Sequence, residues 1–126
     1  MIFLLDSSNL VAQLLEPKLH TRLPEVGLEI FSSFETFLQR LSTMREHPVI
    51  AILTTDNRGQ LDQFREMQKL FVDVRIVLIL PDHEPETLRL GHRLYPRFVS
   101  YKDGNFDDLV SVVARLHDKM QTSAGF

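Results

Sequence analysis

The chain has 126 residues, 44% of them hydrophobic and 25% charged, the make-up of one globular domain with its own core. Lys and Arg total 14 against 17 Asp and Glu, a net charge of -3, and that balance disfavours direct nucleic-acid binding, which rests on neutralising phosphates. The lack of cysteine excludes disulfides and thiolate metal sites, and no apolar run reaches membrane-spanning length.

Ile2 to Leu5 is a continuous apolar run, the pattern of a strand covered on both faces. It has no basic flank and is too short for a signal peptide, so a cytoplasmic location is expected. Ser7 or Ser8 offers an N-cap to a helix whose Leu10, Val11, Leu14 and Leu15 have helical spacing. Pro17 is expected to kink that helix or end it early. Pro24 and Gly27 mark a turn, and Leu28 to Phe31 reads as the second strand. Ser32 and Glu35 have capping-box spacing before a helix with Phe34, Phe37, Leu38 and Leu41 on one face.

His47-Pro48 precedes the third strand, Val49 to Leu53, and Asn57-Arg58-Gly59 is a turn signal. Leu61, Phe64, Met67, Leu70 and Phe71 form one face of a third helix. Val74 to Leu80 is rich in β-branched residues and leucine, as strands are, and stops at Pro81. Pro85 suits the first turn of a fourth helix, which Gly91 should weaken. Phe98 to Tyr101 is the fifth strand. Asn105 caps the last helix, along which Leu109, Val112, Val113, Leu116 and Met120 share a face.

Strands alternating with helices predict an α/β domain with a parallel sheet and right-handed crossovers. A flavodoxin-like (βα)5 fold with strand order 2-1-3-4-5 fits this count. The working end of such a sheet is where its strands finish, at Asp6, Ser7, Thr54, Thr55, Asp56, Leu80, Pro81, Tyr101 and Lys102. The five histidines, at 20, 47, 83, 92 and 117, are scattered without ligand spacing. Asp82-His83-Glu84 reads as a helix entry, and Asp107-Asp108 suits the positive end of the last helix dipole. No glycine-rich phosphate loop or nucleophile elbow is present.

Over nearly its full length the chain resembles response-regulator receiver domains, the signalling modules of two-component signal transduction. Phe3-Leu4-Leu5-Asp6-Ser7 falls at the family's acidic pair and keeps one carboxylate. Pro48 through Thr54 matches the segment leading into the phospho-accepting aspartate, with Thr54 in its place. Ile76 through Leu80 matches strand four, with Leu80 replacing a hydroxyl residue. Lys102 through Leu109 matches the family lysine and its spacing to the last helix. The usual proline after that lysine is Asp103. Residues 1–121 then form a receiver-like domain and 122–126 a flexible tail.

Aspartyl phosphate formation needs a carboxylate nucleophile and a divalent cation. Magnesium wants hard oxygen ligands in near-octahedral geometry. Thr54 cannot form an acyl phosphate, Leu80 cannot hydrogen-bond a phosphoryl oxygen, and Lys102 beside Asp6 is left as an ion pair. Asp6, Ser7, Thr54, Leu80 and Lys102 thus read as a degenerate phosphoacceptor pocket, with no cofactor, no metal and no catalysis. The alternative uses Asp56 as acceptor, with Mg2+ held partly by Asp6. A third possibility is a small-molecule-binding flavodoxin-like domain using the same strand ends.

Arg89, Arg93, Tyr95, Arg97 and Tyr101 lie in a segment rich in residue types enriched at interfaces. The resemblance implies partner contacts or a homodimer through the face of helix four, strand five and helix five. A non-enzymatic regulatory module with a protein partner is expected, with no membrane and no nucleic acid bound by this domain.

Overall fold

Each apolar run forms a strand, and each amphipathic stretch between them forms a helix. The computed structural model describes residues 1–44 and 47–124. In chain order the elements are β1 (Ile2–Leu5), α1 (Leu10–Arg22), β2 (Leu28–Phe31), α2 (Phe34–Ser42), β3 (Val49–Thr54), α3 (Arg58–Glu66), a 3-10 turn (Gln68–Phe71), β4 (Val74–Leu80), α4 (Pro85–His92), β5 (Phe98–Tyr101) and α5 (Asp107–Ala124). All strand pairs are parallel, in the order β2-β1-β3-β4-β5. This is the flavodoxin-like arrangement expected from the sequence.

Side-chain alternation along the strands builds two cores. Ile2, Leu4, Ile50, Ile52, Val77 and Ile79 pack under α1 and α5 with Val11, Leu15, Leu109 and Val113. Phe3, Leu5, Ala51, Leu53, Leu78 and Leu80 face the other way, against Phe37 of α2, Phe64 of α3 and Leu94. The central strands are buried on both faces, hence their unbroken apolar sequences. The edge strands β2 and β5 are four residues each and mostly half-buried.

Several local expectations change. Helix α1 continues past Pro17 to Arg22 and does not end early. Pro17 is exposed, so the carbonyl four residues earlier, which loses its helical donor, can turn to water. The side-chain cap of α2 is Ser33, which accepts from the Thr36 amide at 3.3 Å, not Ser32. Helix α4 includes Gly91 and ends one residue later, at His92. A Cβ there would lie 3.3 Å from side-chain carbons of Leu78 and Leu80, so glycine lets the helix sit close on β4.

Helix α3 ends at Glu66 and tightens into the 3-10 turn. The change in residues per turn rotates later side chains away from the buried face. Phe71 stays in the core, but Met67 and Leu70, read as core, are exposed. Helix α5 continues to Ala124, past the start of the stretch read as a flexible tail; residues 125–126 lie outside the described residues. Among the described residues no helix is long and apolar enough to cross a membrane.

Candidate functional site

The carboxyl ends of β1, β3 and β5 bring Ser7, Asp56 and Lys102 together. β1 ends at Leu5 and is followed by Asp6 and Ser7, β3 ends at Thr54 with Asp56 two residues beyond, and β5 leads directly into Lys102. The Lys102 amide donates to the Leu80 carbonyl at 3.1 Å, fixing where its side chain starts. Its ammonium pairs with the Asp56 carboxylate. Ser7 donates to the other oxygen of Asp56 at 2.6 Å. The Asp56 amide donates to the Gln60 side chain at 2.6 Å, while Asn57 caps α3. The loop after β3 is thus held from both sides.

This corrects the expected pairing of Lys102 with Asp6. Asp6 is fully buried and turned toward α1. Its carboxylate accepts from the Ala12 amide at 2.8 Å and from the Ser8 hydroxyl at 3.2 Å. Asn9, at the N-cap position, is left-handed and makes no side-chain cap bond. The Ser8 hydroxyl accepts from the Leu10 amide at 3.4 Å, as expected of it, and Asp6 adds a second acceptor for a free N–H of the first turn, where the helix dipole also favours a negative charge.

Thr54, at the position of the resembled family's acceptor, is buried, and its hydroxyl has no protein partner. It borders a cavity of about 40 Å³ lined also by Ser7, Ser32 and Gln60, room enough for a water. Thr55 is fully buried, and its amide and hydroxyl both donate to the Ile79 carbonyl at 3.0 Å. Leu80 points into the core under α4, away from the cluster.

Such donors fit a divalent cation poorly. Magnesium is bound through carboxylate oxygens free to approach it. Asp6 spends its carboxylate on α1, and Asp56 is held by an ammonium and a hydroxyl. Among the described residues no group of three or more His, Asp or Glu could hold a metal ion.

Electrostatics follow the geometry. The hydrogen bond from Lys102, then that from Ser7, hold the Asp56 carboxyl below the usual carboxylate range. A carboxyl lowered in the folded state contributes stability that is fully present above its unfolded pKa. That stability is lost as pH falls through the lowered value, here below about pH 4. In an NMR carboxyl titration, Asp56 is expected to protonate later on acidification than an isolated aspartate. Lys102→Met should move it back up; an unmoved titration would contradict the pairing.

The interface residues named from the sequence are spread along the chain from α4 to the end of β5. Arg89 pairs with Glu86 on its own helix. Arg93, Tyr95 and Arg97 lie where β5 begins, whereas Tyr101 ends it, stacked on the His83 ring at 3.8 Å between centroids. His83 also reaches Asp103 at 3.0 Å, tying the loop before α4 to the loop before α5. Arg58 donates to the buried hydroxyl of Thr87 at 2.9 Å, joining α3 to α4. Neither link is marked by spacing in the sequence; only the fold brings these loops together.

Comparisons with protein-family models, with curated proteins and with solved structures return no match for this chain. Fold and strand-end geometry define its class: a flavodoxin-like α/β domain with a closed polar cluster where its strands end.

Proposed function

We propose that this chain is a receiver-like regulatory module that acts by binding a protein partner and not by phosphoryl transfer. One observation carries this reading: Asp6 and Asp56, the carboxylates that follow β1 and β3, are already engaged, Asp6 by the first turn of α1 and Asp56 by Lys102 and Ser7. The residue matching the resembled family's acceptor is Thr54, a buried hydroxyl that cannot form an acyl phosphate. What remains usable is surface, and the partner is a protein.

A second reading has its own observation in favour. Asp56 carries the lysine contact, as a phospho-accepting carboxylate would. One experiment separates the two. Magnesium with beryllofluoride, and separately with acetyl phosphate, is added while amide NMR spectra are recorded. The binding-module reading expects Ser7, Thr54, Asp56 and Lys102 to stay unshifted. Shifts centred on Asp56, abolished by Asp56→Asn, would replace it with the phosphoacceptor reading.

A further inference from the structure

Opposite the Asp56 cluster, the amino ends of β3, β4 and β5 carry two adjoining grooves. One, of about 320 Å³, has Leu38, Leu41, Met44 and Leu70 in its lining. The other, of about 450 Å³, runs past Pro48, Arg75 and Arg97. They share a wall of His47, Val72, Asp73 and Val74.

Four of the six large apolar side chains exposed among the described residues lie at this end; the other two, Leu10 and Leu14, are on α1. Val72 is 78% exposed, Tyr95 81% and Leu70 53%, with Met67 beside them in sequence. Isolated exposed apolar residues mean little, but here Leu70 and Val72 line the grooves themselves, and exposed apolar side chains at a groove mark a binding surface. The 3-10 turn that carries Leu70 is anchored below by Phe71 in the core and sideways by Gln68, which donates to the Arg93 carbonyl at 3.2 Å.

Charge adds direction. Lys69, Arg75, Arg93 and Arg97 lie at this end, and among the described residues none forms an ion pair. Asp73 is the one carboxylate among the described residues lining the grooves. This local excess of cations sits on a chain whose net charge is -3. Tyr95 has φ 51°, a left-handed conformation unfavourable for a ring-bearing residue and free for glycine. Its amide closes the turn on the His92 carbonyl at 3.0 Å. A strained, exposed aromatic between Arg93 and Arg97 is what an interface keeps and a plain turn does not.

We infer that the amino end of the sheet docks an acidic segment of another protein, one that also carries apolar side chains. The grooves take the apolar groups, and Lys69, Arg75, Arg93 and Arg97 meet the carboxylates. A second copy fits less well, because symmetric pairing through this face sets its cations against themselves. The inference rests on the binding-module reading but uses none of the residues of the Asp56 cluster.

The 126-residue chain is panned against a display library of random short peptides, and an enriched peptide is titrated by NMR and fluorescence anisotropy. The expected peptides combine Asp or Glu with large apolar residues. They shift amides in 67–75 and 93–97, and bind more weakly as salt rises. The double variant Lys69→Glu with Arg97→Glu should weaken binding about tenfold or more. Tyr95→Gly should weaken it too, while leaving the thermal midpoint unchanged or higher, because glycine relieves the left-handed strain. Peptides without acidic residues, no enrichment, or insensitivity to charge reversal would overturn the inference. So would a dimer in sedimentation that Arg97→Glu dissolves. A peptide bound elsewhere on the domain overturns this surface and leaves the binding module standing. A response to beryllofluoride at Asp56 overturns the module reading and leaves this surface to its own test.

Discussion

Replacing Phe37 by alanine is expected to lower the unfolding free energy by about 4 kcal/mol. Phe37 is fully buried, and four other rings surround it. Phe3 of β1 and Phe31 of β2 meet it edge-on at 6.1 and 5.7 Å between centroids. Phe34 and Phe71 stack on it at 6.3 and 6.2 Å. Removing the central ring leaves these neighbours around a void they can only partly fill, so a cavity cost adds to the lost transfer energy. Urea unfolding should show a lower midpoint with an unchanged slope. Phe71 closes the 3-10 turn, so amide exchange should quicken at Gln68 to Phe71 before the rest of the domain opens. A loss below about 1 kcal/mol, the scale of ordinary surface substitutions, would contradict this account of the core.

Asp6→Ala is expected to cost about 2–3 kcal/mol, whether or not magnesium is present. The substitution leaves the buried Ala12 amide without its acceptor and takes a negative charge from the start of α1. Relief of carboxylate desolvation offsets part of this. Asp6→Asn keeps an acceptor oxygen and should cost less. Urea melts with magnesium and with a chelator give the check. If the wild type were stabilised by magnesium and Asp6→Ala lost only that increment, Asp6 would be a metal ligand and not a helix clamp. Weaker α1 protection in hydrogen exchange would identify the clamp directly.

The sheet was legible because burial on both faces writes itself as apolar runs: Ile2–Leu5, Val49–Leu53 and Val74–Leu80 read as strands, the second of these extending one residue further in the structure, to Thr54. The alternation of elements gave a parallel sheet, and the order 2-1-3-4-5 was the flavodoxin-like one that fits five strands. What stayed hidden depended on side-chain direction. Spacing cannot tell that Asp6 folds back onto α1 and leaves Lys102 to Asp56, because both carboxylates flank strand ends at similar distances along the chain. Nor does helical periodicity reveal where a helix tightens. Leu70 keeps the spacing of a core residue, yet the turn after Glu66 carries it to the surface. At Pro17, exposure decides the outcome, and exposure belongs to the tertiary structure.

The length of the edge strands limits how this domain can meet a partner. Many recognition domains accept an incoming peptide as one more strand, hydrogen-bonded along an open sheet border. Here both borders, β2 and β5, are four residues long, and along each only about two residues point their peptide groups outward. So short a seam gives little affinity through main-chain bonding, and the same brevity protects against edge-to-edge aggregation. Recognition by this fold therefore falls to side chains, where sequence can tune partner choice without disturbing the sheet.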